Sequence, residues 1–136
     1  MQTTPQPFVP SEPLSGVASD HSRHPRCKRV IKNPDGEGWS GSASEGPYMR
    51  MQVKVAAGTV TAVAFVTYPC ATAVAAGSYA ASWAQGRTVS SVQALTSAEL
   101  TSFLGGLPKV WRFCADLAVD ALHAALTAAG AISSTQ

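Results

Sequence analysis

Two cysteines and a glutamate are the residues here whose types and positions could do chemistry. Cys70 falls between a run with strand character, residues 59–68, and a small-residue run of helical period, residues 71–83. A thiol at a strand-to-helix junction sits beside the unpaired N–H groups of a helix start, which favour the thiolate. The thiolate is the form that binds metal or attacks an electrophile. Cys114 follows the Leu107-Pro108 break, in the first turn of the last expected helix. Glu45 lies in a Gly-rich loop ahead of the first expected strand. If the three junctions share one end of a sheet, two thiols and a carboxylate face a common point. Cys27 has ligand-like spacing to His24, but an exposed thiol is the plainer reading. His21 suits a local hydrogen bond and His123 an ordinary helix face. Trp83 and Trp111 suit packing or a partner surface rather than a cofactor. No Ser-His-Asp order, phosphate loop or pair of catalytic carboxylates occurs, so the chain is not expected to be an enzyme.

Composition narrows the class. The net charge is +2 and only 13% of the 136 residues are charged, without a dense Lys/Arg field. Nucleic acid is therefore not an expected partner. No run of eighteen apolar residues occurs, so no membrane span is expected. The N-terminus lacks the pattern of a signal peptide, which makes a reducing cytoplasm the expected compartment. Three widely spaced cysteines do not suggest a disulfide framework, and metal or thiol chemistry fits better.

The elements that position these residues follow from periodicity. Residues 1–19 are rich in Pro, Ser, Thr and Gln and read as a flexible tail; residues 20–130 read as one domain and 131–136 as a short second tail. Pro25 limits any helix before it, and residues 33–46 read as loop. From Tyr48, apolar Met49, Met51, Val53 and Val55 alternate with polar neighbours, a strand with one apolar face. Residues 59–68 pair back on it as a hairpin. Short helices are expected over 88–94 and from the capping box at Thr96-Ser97-Ala98-Glu99 to near Leu104. The last helix is expected over 110–129, with Val110, Phe113, Cys114, Leu117, Ala121, Leu122 and Ala125 on one face. Tail, strands, then helices predict an α+β domain: a small antiparallel sheet with helices packed on one face.

From Asp20 to about Leu126 the chain resembles the U-type iron–sulfur cluster scaffolds, IscU and the N-terminal domain of NifU. The opening motif of that family is matched by Asp20, His21, Pro25 and Arg26, and its first strand by Met49-Arg50-Met51-Gln52-Val53-Lys54-Val55. Its cysteine junction is matched by Tyr68-Pro69-Cys70-Ala71-Thr72-Ala73, and the following turn by Gly86-Arg87-Thr88. Its Leu-Pro segment is matched by Leu107-Pro108-Lys109-Val110-Trp111, and its closing helix by the run from Cys114 to Ala121.

The resemblance implies a protein that binds iron or a cluster, of [2Fe–2S] type, transiently and passes it on. It implies Cys70 and Cys114 as cluster ligands, with a cysteine desulfurase, a chaperone and recipient apoproteins as partners. Where the family has its first cysteine, its aspartate and its histidine, this chain has Glu45, Pro47 and Phe113; Cys27 stands at an Asn position. Cys70, Cys114 and Glu45 then form the metal set, and two chains in a homodimer would supply four thiolates to one bridging cluster. The alternatives are a metal-free module that docks to and regulates the assembly machinery, and a mononuclear zinc site on the same three residues.

Overall fold

Alternation along Tyr48–Ala56 (β2) sets the architecture. Met49, Met51 and Val53 are fully buried towards the helices, while Arg50 and Lys54 point to the opposite face. The computed structural model describes residues 14–42, 44 and 46–131. Thr59–Thr67 (β3) pairs antiparallel with β2 across a turn at Ala57 and Gly58, and the register shifts between Lys54 and Val55.

A third strand, Gly36–Gly41 (β1), pairs antiparallel with the other edge of β2, giving the order β1-β2-β3. Order therefore begins before Tyr48, and the expected loop over residues 33–46 is corrected here. Glycine hid the strand, because these glycines are required by what lies above them. A Cβ on Gly38 would come within 2.3 Å of the Ala125 backbone nitrogen and 2.4 Å of the Ala121 carbonyl oxygen; one on Gly36 would reach 2.1 Å from the Ala125 oxygen. The strand lies backbone to backbone against the last helix, Phe113–Ala128 (α5).

The other sheet edge is closed along its length. The Phe65 N–H donates to the Cys27 carbonyl at 2.9 Å, the Val60 N–H to the Arg87 carbonyl at 2.9 Å, and the Val63 N–H to the Gln85 side chain at 3.0 Å. Such coverage removes an exposed template for unwanted strand pairing.

Ala71–Ala84 (α2) and α5 lie on one face of the sheet. Almost every residue of α2 is buried, which explains its Ala, Ser and Gly content. Gly77 leaves space for the Phe65 ring, which a Cβ would approach to 2.6 Å. Val89–Gln93 (α3) and Ser97–Phe103 (α4) follow as expected, α4 with the Thr96/Glu99 capping box in place. This is the α+β arrangement that the periodicity predicts.

Two boundaries differ from expectation. Gly16–Arg23 forms a helix (α1) that begins inside the stretch read as tail, residues 1–19. Ser15 caps it by accepting from the Ala18 N–H at 3.1 Å, and Ala18 is fully buried. Low local hydrophobicity masked a helix that is held to the rest of the fold by buried Ala18, the Ser15 cap and a hydrogen bond between His21 and α2. Residues 1–13 and 132–136 of the expected tails lie outside the described residues. The last helix starts at Phe113, after a 3-10 turn at Lys109–Trp111. The tighter turn takes Val110 off the expected inner face, where it is 70% exposed, and Phe113, the first residue of the helix, is 37% exposed. The buried stripe is Cys114, Ala118, Ala121, Leu122 and Ala125.

Candidate functional site

Cys70 is the N-cap residue of α2, with extended backbone (φ −130°, ψ 132°) between β3 and the helix. Its position is set by the sheet. Thr67, the last residue of β3, donates its hydroxyl to the Tyr48 carbonyl at 2.7 Å, and the Tyr68 N–H donates to the same carbonyl at 3.1 Å. The Cys70 N–H then closes a tight turn on the Tyr68 carbonyl at 2.8 Å. Cys114 is the second residue of α5. The two helices pack side by side, and their first turns bring both sulfurs to hydrogen-bonding reach of each other.

Both thiols are almost inaccessible, at 2% and 1% exposure. They share one negative charge. The Cys114 S–H donates to the Cys70 sulfur and is the largest influence lowering Cys70, against the opposing effect of burial. The backbone N–H groups of Ala73 and Thr72 add to it, and together they bring Cys70 down to about 6. These dipoles act without the geometry of a regular side-chain cap. The same contact, then burial, pushes the Cys114 thiol up. The arrangement thus favours the thiolate on Cys70, with Cys114 as its donor. Two helix N-termini, each an end of positive potential, meet at that charge. Thr72, fully buried beside the sulfur, has its hydroxyl outside ordinary hydrogen-bond geometry. Sequence reasoning did not single it out; a Thr among alanines two residues after a cysteine is the signal it left.

Glu45 lies outside the described residues, so only the ends of its loop are located. Gly41 pairs with Tyr48, so the connection over residues 42–47 leaves the sheet at the end that carries Tyr68 and Cys70. Antiparallel packing of α5 on β1 puts the start of α5 at this end as well, since Gly36 meets the C-terminal part of the helix. Among the described residues no group of three or more His, Cys, Asp and Glu side chains could hold a metal ion. An apolar lip flanks the thiols: the rings of Trp111 and Phe113 lie 5.8 Å apart, next to exposed Val110.

The other candidates are placed elsewhere. The Nδ1 of His21 lies 2.7 Å from the Ser78 hydroxyl, which also accepts from the Arg26 N–H at 2.8 Å; Asp20 pairs with Arg26 at 2.7 Å. The bond made by His21 is long-range rather than local. The opening motif thus fastens α1 and the following turn to the middle of α2. Cys27 takes a positive φ of 66°, and burial raises its thiol. Its carbonyl accepts from the Phe65 N–H and its side chain packs at the edge of the core. The Nε2 of His123 lies 3.0 Å from the Val92 carbonyl and joins α5 to α3.

The sequence model described as NifU-like N terminal domain matches residues 14–134. The chain is 36% identical over 107 residues to the iron-sulfur cluster assembly scaffold protein IscU 1 of Archaeoglobus fulgidus, covering 79% of this chain and 70% of that protein. It is 36% identical over 111 residues to the scaffold protein IscU of Azotobacter vinelandii, covering 79% of this chain and 86% of that one. In fold it is similar to the crystal structure of a NifU-like protein (N-terminal) from Brucella abortus, with a TM-score of 0.69 and 17% identity, covering 85% of this chain and 93% of that one. With a match over nearly the whole described chain, and a sheet, a helix pair and a cysteine junction in the expected order, this chain belongs to the NifU-like N-terminal domain family.

Proposed function

We propose that this protein is an iron–sulfur cluster assembly scaffold that holds iron or a nascent cluster on Cys70 and Cys114 and passes it to acceptor apoproteins. The thiolate–thiol pair supports this most directly. Soft sulfur donors suit iron–sulfur clusters, and the arrangement favours the thiolate on one of the two. The second loses its proton to solvent when the cargo binds, since metal binding replaces a proton on a thiol. The names of the two relatives given above, both scaffold proteins of iron-sulfur cluster assembly, support the same reading.

Clusters are usually held by four ligands, and this chain contributes two described thiols. We infer a [2Fe–2S] cluster bridged by two chains, each supplying Cys70 and Cys114. The lip formed by exposed Val110 and Phe113 with half-buried Trp111 gives a second copy an apolar surface beside the thiols. For iron or a cluster held by one chain alone, Glu45 is the candidate third ligand, as its loop springs from the same end of the sheet. A cysteine desulfurase is the implied sulfur donor, with a chaperone assisting release. A reducing cytoplasm suits three free thiols. Among the described residues no helix is long and apolar enough to cross a membrane.

Transfer tests the proposal. Protein reconstituted anaerobically with iron and sulfide is mixed with an apo-ferredoxin, and the circular dichroism of the recipient cluster is followed. Cluster arriving faster than from free iron and sulfide is the expected result. No cluster bound at any protein concentration would overturn it. A metal-free docking module predicts that outcome, together with desulfurase capture that survives Cys70→Ser and Cys114→Ser.

A further inference from the structure

A stripe of rings runs over the surface away from the thiol pair. Tyr79 and Trp83, one turn apart on α2, flank Phe103 at the end of α4. The ring centroids of Tyr79 and Phe103 are 5.7 Å apart, and those of Trp83 and Phe103 are 6.0 Å apart. His21 adds a ring at one end, 5.1 Å from Tyr79. At the other end the Arg87 guanidinium sits 4.2 Å above the Trp83 ring. Phe103 is 36% exposed and the neighbouring rings are half-buried, so part of the stripe is open to a ligand. Arg87 has no carboxylate partner among the described residues.

We propose that this stripe is a binding surface for a proline-rich extended segment, and that its occupant is residues 5–13 of the same chain. Three observations choose the occupant. The first is where the chain enters. Ser15 donates its hydroxyl to the Leu104 carbonyl, so the segment before it starts one residue from Phe103. The second is chemistry. Residues 5–13 read Pro-Gln-Pro-Phe-Val-Pro-Ser-Glu-Pro, with prolines at 5, 7, 10 and 13. Segments of this kind favour the polyproline II conformation and dock on aromatic-lined grooves at low entropic cost. Nine residues at about 3.1 Å each reach about 28 Å, well beyond the length of the stripe. The third is charge. The only charged side chain of residues 1–13 is Glu12, and the unpaired charge on the stripe is Arg87. Tethering at Ser15 puts the segment at millimolar effective concentration, so a contact too weak between free molecules is populated within the chain.

Nuclear magnetic resonance on the full chain tests this. The expected result is nuclear Overhauser contacts from the prolines of residues 5–13 to the rings of Tyr79, Trp83 and Phe103. In the full-length triple variant Pro5→Gly, Pro7→Gly, Pro10→Gly those contacts should be lost. The Trp83 indole N–H signal, assigned through Trp83→Phe, should move by more than its linewidth while those of Trp39 and Trp111 stay in place. Unchanged core methyl signals show that the variant is folded. Superposable spectra of parent and triple variant, or contacts that disappear on dilution because a second copy supplies the segment, would overturn the proposal.

Discussion

The thiol of Cys114 does for Cys70 what a metal or a cation does elsewhere: it stabilises a buried negative charge. Loss of that donor should be visible in a titration. In the parent, thiolate absorbance in the ultraviolet should report one sulfur ionising with a midpoint near about 6. In Cys114→Ala the midpoint should climb towards the ordinary thiol value of about 8.5. A midpoint that does not move would mean that the two sulfurs are not in contact. The pair also shapes stability. Cys70 is held ionised in the folded chain, so its contribution is complete above the unfolded thiol value and is lost as pH falls through about 6. Cys114 acts in the opposite sense: its raised value costs stability once pH exceeds the unfolded thiol value. Urea unfolding at several pH values should therefore show stability rising from about pH 6 to about 8.5 and falling beyond. Cys70→Ala, with Cys114 left as an ordinary buried thiol, should lose the rise.

Among the elements, contact between β1 and α5 tolerates the least change. Gly38→Ala places a methyl where the Ala125 nitrogen and the Ala121 oxygen already stand, 2.3 and 2.4 Å away. Backbone cannot step aside as a flexible side chain can, so the expected loss is about 3 kcal/mol, read as a lower urea midpoint at unchanged slope. A loss below about 0.5 kcal/mol would contradict the packing. Ser78→Ala removes the acceptor of the Arg26 N–H and the partner of His21, and should cost about 2 kcal/mol. These two sites also show what the sequence could and could not reveal. The period of two at Met49, Met51 and Val53 and the Thr96/Glu99 box were legible, because burial and capping leave local patterns. The strand Gly36–Gly41 was not, since its glycines answer to a helix eighty residues away, and nothing in a window around them says so. The face of Val110 was misjudged because a 3-10 turn breaks the helical spacing before Arg112.

At the scale of the whole molecule, one end of the sheet carries the parts of the proposed site: the β1–β2 connection, the β3–α2 junction and the start of α5. The two cysteines were legible in type, but their meeting followed from the order of motifs and not from any spacing. The place of Glu45 in the site is tested by adding donors. Glu45→Cys with Pro47→Asp should bind cluster more tightly and longer than the parent under the same anaerobic reconstitution, as a third thiolate suits iron better than a carboxylate. Equal loading and lifetime in a folded variant would place this loop away from the thiols. The claim that Cys70 and Cys114 hold the cargo is tested most directly by iron and acid-labile sulfide counts on the reconstituted parent, Cys70→Ser and Cys114→Ser, with far-ultraviolet circular dichroism confirming that each is folded. The account predicts one iron and one sulfide per chain in the parent, in a dimer, and at least a tenfold loss in each folded serine variant; parent-level loading in either variant would contradict it.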